Sequence, residues 1–366
     1  MAPFFTNNSC NPFMPPETPC TLGNYASYAV KATEASDIQK AIAFATLHNF
    51  RLVIRNTGHD YNGKSTGAGA LAIWTNHMKA IEMVENYTTS YYRGRAMKFG
   101  AGVSVYEAYK FADSRNGLVV GGNCPTVGIA GGLTQGGGHS PLASTYGLAA
   151  DSVLEWEVVT GASELLTATP LQNSDLYWAL SGGGGGTYGV VVSMTTEVHP
   201  PLRVSAANMT FAHDESNADQ FYDIIKTFIG SLPSMVDAGA NVNWALVPPN
   251  IFAVFPATAP GISKAKLDEL FEPTIQKLKQ YDFPYLYYSQ EFPTFLESYS
   301  NMNPPSNASD GQIAGRLIPR SLVKENIDAL VTTIREIVEA GVTMAGISVN
   351  VADSVTSPDL NGVNPY

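Results

Sequence analysis

Apolar residues are spaced in two ways along this chain, and the change falls near residue 200. Before it, short β-branched runs dominate, and they predict strands over 52–55, 70–74, 153–159 and 190–198. Two helical patterns interrupt them. Residues 36–49 place Ile38, Ala41, Ile42 and Ala45 on one face, with Ser36 and Gln39 spaced as a capping box. A second helix starts at a Ser104–Glu107 capping box, turns Ala108, Tyr109 and Ala112 inward and stops at Gly117. The run His199, Pro200, Pro201, Leu202 breaks the pattern and marks an expected domain boundary.

Beyond the break, strands alternate with longer amphipathic helices. Strands are predicted over 206–213, 242–247, 251–255 and 342–351, the second and third as a hairpin around Pro248, Pro249 and Asn250. Helices are predicted over 218–229, 263–280 and 322–340. Pro273 is expected to kink or break the second. The third carries Ile327, Leu330, Val331, Ile334 and Val338 in one stripe and ends at Gly341. In the last strand Ile347, Val349 and Val351 alternate with Ser348 and Asn350. Antiparallel strands backed by helices make this half α+β. The expected division is a tail over 1–23, a first domain over 24–200 and a second over 201–366.

Composition sets bounds. A chain of 366 residues, 45% of them hydrophobic, is long enough for two cores. A net charge of −11 without a basic cluster argues against nucleic acid as a partner. No apolar run reaches the ~18 residues of a membrane span. The opening residues, M-A-P-F-F-T-N-N-S, lack the basic start and apolar stretch of a signal peptide. Cys10 and Cys20 flank a Pro-rich turn and read equally well as a disulfide or as two thiols. Glycosylation sequons stand at Asn7, Asn86, Asn208 and Asn307.

The chemistry gathers in three glycine-dense stretches. They are R-N-T-G-H-D-Y-N-G-K-S over 55–65, G-G-N-C-P-T-V-G-I-A-G-G-L-T-Q-G-G-G-H over 121–139 and G-G-G-G-G-T-Y-G-V-V over 182–191. Glycine lets backbone N–H groups approach a large charged ligand and tolerates positive φ. Three such loops beside β-branched runs fit a chain wrapped around an extended cofactor. Two familiar formulas occur here by coincidence. Residues 58–65 satisfy the P-loop pattern, but a P-loop opens a helix, and T-G-A-G-A-L-A-I-W reads as loop and strand. Gly184, Gly186 and Gly189 satisfy the dinucleotide fingerprint, but V-V-V-S-M-T-T-E-V continues as a strand. His59 and Cys124 each sit inside a glycine loop. They read either as a self-bonded turn histidine and a small buried thiol, or as reactive groups. Zinc lacks the ligands it requires, and a Cys–His hydrolase leaves the glycine unexplained.

The loops and the residues they hold resemble the berberine-bridge-enzyme-like branch, in its fungal form, of the vanillyl-alcohol-oxidase superfamily of flavoproteins. The resemblance runs from about Cys10 to the end of the chain. It rests on R-N-T-G-H-D-Y at 55–61, G-G-N-C-P-T-V-G at 121–128, G-G-G-H at 136–139 and Y-G-L-A-A-D at 146–151. D-L-Y-W-A-L-S-G-G-G-G-G-T-Y-G-V-V at 175–191 and R-L-I-P-R at 316–320 complete it. It implies an α+β fold in which a PCMH-type FAD-binding domain precedes a substrate domain. It also implies FAD held covalently, through His59 to the 8α-methyl and through Cys124 to ring carbon 6. Arg55, Asn56, Thr57, Gly58 and Asp60 would wrap the pyrophosphate. Gly122, Gly128, Gly131, Gly132, Gly137, Gly138, His139, Gly147, Leu148 and Asp151 would belong to the cofactor site. Gly189, Val190 and Val191 would lie along the cofactor, and Val127 takes the family's oxygen-gate position. The family places its catalytic base, a Glu or Tyr, on a substrate-domain strand. The strand over 342–351 has no carboxylate, which leaves Tyr287 and Tyr288, unless these are plain core aromatics.

The activity implied is oxidation of a bulky small molecule by hydride transfer to the flavin, with dioxygen as acceptor, by a monomer. A fungal secondary metabolite is the expected substrate, for example in a ring-forming step of ergot-type alkaloid synthesis, with a carbohydrate as the other choice. An inactive member acting as a binding or antigenic protein is the expectation from a different class. The family further implies a secreted glycoprotein. Its members carry a longer leading segment with a secretory signal and a closing segment past the position of Tyr366, so the stretch in hand is expected to lack one wall of the flavin domain.

Overall fold

The computed structural model describes residues 3–6, 8–11, 14–214, 216–304 and 313–352. The sequons at Asn7 and Asn307 lie outside them. Cys10 and Cys20 form a disulfide, with Cα atoms 4.6 Å apart.

The first half contains two sheets. Strands β1 (Tyr28–Lys31), β2 (Leu52–Arg55) and β3 (Leu71–Trp74) are parallel, in the order β1-β3-β2. Helix α1 (Ala35–His48) crosses from β1 to β2 and buries Ile38, Ala41, Ile42 and Ala45, the face its period predicts. Its cap differs from the expected pair. The Asp37 carboxylate accepts the N–H groups of Thr33 (2.9 Å) and Glu34 (3.3 Å), while Gln39 donates instead to the carbonyl of Ser163 (2.8 Å). A carboxylate at the first turn satisfies N–H groups that the helix cannot.

Strands β4 (Ile81–Thr88) and β5 (Arg93–Gly100) form a hairpin absent from the sequence reading. Glu82, Glu85, Arg93 and Arg95 break up its apolar alternation. Helix α2 (Val105–Ser114) follows with the expected cap, Ser104 N–H to the Glu107 carboxylate at 2.7 Å and Glu107 N–H to Ser104 Oγ at 3.3 Å. After the short α3 (Ala143–Tyr146) come β6 (Val153–Val159), β7 (Leu165–Ala168), α4 (Ser174–Leu180) and β8 (Val190–Glu197). The second sheet is antiparallel, in the order β4-β5-β8-β6-β7. Neither phosphate-binding formula opens a helix: the first leads to β3 and the second runs straight into β8.

The second half is one antiparallel sheet with its long helices on one face. It comprises β9 (Val204–Ala212), α5 (Ala218–Asp237), β10 (Asn241–Val247), β11 (Ile251–Pro260), α6 (Lys264–Gln280), β12 (Tyr285–Phe292), α7 (Phe295–Met302), α8 (Arg320–Glu325), α9 (Ile327–Glu339) and β13 (Met344–Ser348). The strand order is β12-β9-β11-β10-β13. Three expectations need correction. Helix α5 runs on through Pro233 to Asp237, and of the kink or break expected at Pro273 the break does not occur in α6; burial of Phe228, Met235, Phe271 and Leu278 outweighs one lost N–H per proline. The continuous helix over 322–340 is instead two, broken at Asn326 (φ −146°, ψ 45°). In β13 the predicted alternation has the opposite sense. Gly346 lies against the Trp244 indole, where a Cβ would come within 2.1 Å, so Met344, Gly346 and Ser348 take the covered face and Ile347 is 49% exposed.

The apolar residues divide into two main cores. One draws on residues from Ala32 to Val204 together with Phe295 and Tyr299 of α7; the other lies between the second sheet and α5, α6 and α9. Helix α7 therefore comes late in the chain but packs into the first core. Asn208, a sequon residue, sits on β9 with its amide donating to the Met302 carbonyl (3.3 Å) and its Oδ1 buried. Among the described residues no helix is long and apolar enough to cross a membrane.

Candidate functional site

The three glycine loops meet. The first leaves β2 and folds on itself, with the Asp60 carboxylate accepting the Lys64 N–H (2.7 Å) and the Ser65 hydroxyl. Gly58 adopts φ +79° with the Arg55 guanidinium packed beneath it. The second loop is tied to α2, whose Val105 and Tyr106 N–H groups donate to the carbonyls of Val127 (2.8 Å) and Pro125 (3.1 Å). Two tyrosines hold it from behind: Tyr109 donates to the Gly122 carbonyl (2.9 Å) and Tyr299 of α7 to that of Asn123 (2.6 Å). Gly128 N–H donates to Thr57 Oγ1 (3.3 Å) and so joins the first loop to the second. The third loop docks through Gly182 and Gly184 N–H groups, both donating to the Gln135 carbonyl (3.0 and 2.8 Å). A Cβ on Gly185 would stand 2.8 Å from Gly132 Cα, so these two loops touch backbone to backbone. Only glycine permits that approach.

Together the loops enclose a cavity of about 1130 Å³, above the usual size of a small-molecule pocket, roughly 300–1,000 Å³. Of the residues singled out from sequence, Asn56, Thr57, Gly58, His59, Asp60, Gly122, Cys124, Val127, Gly128, Gly131, Gly132, His139, Gly189 and Val191 line it. Arg55, Gly137, Gly138, Gly147, Leu148, Asp151 and Val190 are not in its lining. Several of these brace the wall from outside: Ala149 and Ala150 N–H groups donate to the carbonyls of Gly138 (2.9 Å) and Gly137 (3.0 Å), and Leu148 N–H donates to the Asp151 carboxylate (2.7 Å). Sequence reasoning missed Asn123, Thr126, Gln135 and Thr187, which are ordinary polar residues without a signal of their own.

Tyr287 and Tyr288 are not brought to the cavity lining. Strand alternation separates the two. Tyr287 lies on the helix-covered face, packs its ring at a tilt against Phe271 and donates to Asp268 (2.7 Å). Burial and the Asp268 charge push its hydroxyl pKa up, so it is held as a neutral donor. Tyr288 is on the bare face, 55% exposed and bonded to Gln290.

His59 and Cys124 come together across the cavity through Thr126. His59 Nε2 lies 2.8 Å from Thr126 Oγ1, and Cys124 Sγ lies 3.6 Å from the same oxygen. Burial pulls the His59 pKa below its ordinary value, which keeps the imidazole neutral at pH 7. Burial lowers His139 in the same direction. Cys124 is not in a disulfide, and among the described residues no group of His, Cys, Asp and Glu is arranged to hold a metal.

The lining fits a flavin dinucleotide. The side-chain oxygens of Asn56, Asn123 and Gln135 are buried without a hydrogen-bond donor among the described residues, an arrangement that calls for donors from a ligand. A Cβ on Gly132 would meet nothing within 4 Å, so its absence widens the cavity rather than relieving a protein contact. The loop N–H groups would hold phosphate, and a bound flavin supplies a hydride acceptor.

Comparison with known proteins agrees. A family pattern described as an FAD binding domain matches residues 26–169. The FAD-linked oxidoreductase sor8 of Hypocrea jecorina is 45% identical over 365 residues, covering 100% of this chain and 63% of sor8, so the chain spans under two thirds of that relative. The FAD-linked oxidoreductase sthB of Phaeosphaeria nodorum is 47% identical over 315 residues, 86% of this chain and 99% of sthB. The crystal structure of the VAO-type flavoprotein MtVAO615 from Myceliophthora thermophila superposes with a TM-score of 0.89 at 40% identity, covering 100% of this chain and 67% of that one. By its loops, its cavity and these relatives, the chain belongs to the FAD-linked oxidoreductases of the VAO-type flavoprotein family.

Proposed function

We propose that the protein is an FAD-dependent oxidase with flavin attached through both His59 and Cys124, acting on a bulky fungal secondary metabolite with dioxygen as the electron acceptor. The observation that carries the attachment is the pairing of a neutral histidine and a cysteine on one hydroxyl inside a cavity walled by glycine loops. Fixing the cofactor at two atoms removes the need for a tight cage and leaves room for a large substrate.

The substrate is expected at the bare face of the second sheet. Helix α7 packs at one end of this face, over Ala206 and Phe292, and donates to the cavity loop through Tyr299. The remainder of the face carries Leu286 and Tyr288 at one edge and Ile347 at the other, with Asn208, Asn243 and Thr258 on the strands between them. Hydride removal leaves an electron-poor carbon, on which a nucleophile elsewhere in the same bulky molecule can close a ring, as in an ergot-type alkaloid intermediate.

The test is peptide mass spectrometry of the full chain. Wild type should yield flavin on both the His59 and the Cys124 peptide, His59→Ala only on the latter, Cys124→Ala only on the former, and the double variant on neither. A wild-type digest with flavin on neither peptide would overturn the proposal.

A further inference from the structure

We propose that Thr126 is the positioning residue for both attachments: its one hydroxyl accepts the Nε2–H of His59 and donates to the sulfur of Cys124, leaving His59 Nδ1 as the nucleophilic nitrogen and favouring the Cys124 thiolate. The inference rests on the covalent reading above.

A hydroxyl has one hydrogen and two lone pairs, so it can donate to only one of the two neighbours it touches. The 2.8 Å contact to Nε2 and the 3.6 Å contact to sulfur fit a short acceptance from N–H and a longer donation to the larger sulfur atom. A neutral imidazole with its hydrogen on one nitrogen bears a lone pair on the other. Thr126 thus selects which nitrogen reacts. In the same network a hydroxyl hydrogen directed at Cys124 stabilises the charged form of the thiol, which is the nucleophile.

The threonine is set by the protein. Its neighbours Pro125 and Val127 are bonded to the start of α2, Val127 N–H closes a turn onto the Cys124 carbonyl (3.4 Å), and Gly128 N–H is held by Thr57. The two loops therefore exchange threonines: Thr57 of the first receives the second, and Thr126 of the second receives His59 of the first. A β-branched side chain has few χ1 choices, which keeps the hydroxyl between its two partners.

The stoichiometry closes. Each linkage forms one C–N or C–S bond between the protein and a flavin carbon. The hydrogen on that carbon and the hydrogen of the imidazole or thiol leave with two electrons, and dioxygen takes them up as hydrogen peroxide. Once Nδ1 carries carbon, Nε2 gives up its hydrogen, and the Thr126 hydroxyl can rotate to donate to it.

The experiment compares wild type, Thr126→Val and Thr126→Ser. Flavin-free full-length chain is incubated with FAD in air, and the His59 and Cys124 peptides are followed by mass spectrometry. Thr126→Val should slow attachment at both peptides at least about tenfold, ~1.4 kcal/mol in barrier, and Thr126→Ser should restore most of it. The ¹⁵N shifts of the His59 ring should report Nε2–H in wild type and in the serine variant, and a tautomer mixture in the valine variant. Linked wild type with unchanged rates and ring shifts in Thr126→Val would overturn this inference alone. Wild type with flavin on neither peptide would overturn the covalent reading, and this inference with it.

Discussion

Each half of the molecule contains a five-stranded antiparallel sheet, and the two sheets are used in different ways. The sheet of the second half is closed on one face by aromatic packing, with Phe228, Trp244 and Phe252 in mutual ring contact beneath α5. The sheet of the first half has its loops gathered around a void, and residues without side chains stand where packing would otherwise fill in. The difference teaches where stability and where chemistry reside. Large buried side chains hold the second half together, while the first sacrifices apolar contact to let backbone approach a ligand.

The sharpest way to break this contrast is to empty the closed core. Phe228 is fully buried, and Phe228→Ala should cost about 3–5 kcal/mol, read as a lowered urea midpoint. The two loops that carry His59 and Cys124 should keep their geometry, so flavin attachment in the folded fraction should be unchanged. Loss of attachment at full folding would show that the halves are not separable in this way.

The junction between the halves gives the next effect. His199 stacks on Tyr146 with ring centroids 4.1 Å apart, its Nε2 is buried without a partner, and burial pushes its pKa down to about 4. Between that value and the ordinary 6.5, the unfolded chain binds a proton that the folded chain refuses, so stability rises with pH across this window. The contribution lost on acidification from pH 7 to below 4 is about 3 kcal/mol. His199→Phe keeps the ring stack and should flatten that part of the curve in thermal melts at stepped pH. An unaltered slope would place the titration elsewhere.

Val127 tests the open half. It is half-buried, lines the cavity three residues from Cys124, and packs its inner side on the first core. A stiff, compact valine leaves room that a leucine would fill. Val127→Leu should slow reoxidation by air about tenfold, ~1.4 kcal/mol in barrier, with reduction by substrate nearly unchanged. Stopped-flow traces of the two half-reactions that both stayed at wild-type rates would make Val127 simple packing.

The smallest effect separates the two adjacent tyrosines of β12. Tyr288→Phe, on the bare face, should change stability by less than about 0.5 kcal/mol. Tyr287→Phe removes the bond to Asp268 and should cost about 1 kcal/mol. Matched denaturation curves for the pair would show that the two faces are not as different as their burial implies.

Much of the frame was legible from short-range pattern. The Ser104–Glu107 box, the buried stripe of α1 and the runs that became β2, β6 and β8 depend on neighbours a few residues away, and local spacing records such contacts directly. The glycine loops were equally plain, because positive φ and close approach leave few other residues to choose. His59 and Cys124 were singled out for that reason, and both line the cavity. The β4–β5 hairpin was not, since its charged residues blur the alternation that marks a strand.

What the sequence determined by itself was the kind of chain this is: two halves, three loops fit for an extended cofactor, and a histidine and a cysteine placed within them. Tertiary structure decided which groups face one another. Trp244 claims the covered face beside Gly346 and so turns Ile347 outward, reversing the sense read from alternation. Helix α7 returns from the second half to brace the loop next to Cys124, across 176 positions of sequence. Thr126 gains meaning only because His59, 67 residues away, lies against its hydroxyl. Local periodicity encodes a residue's own face and turn; the partner on the other side is set by packing among segments that the chain brings together only when it folds.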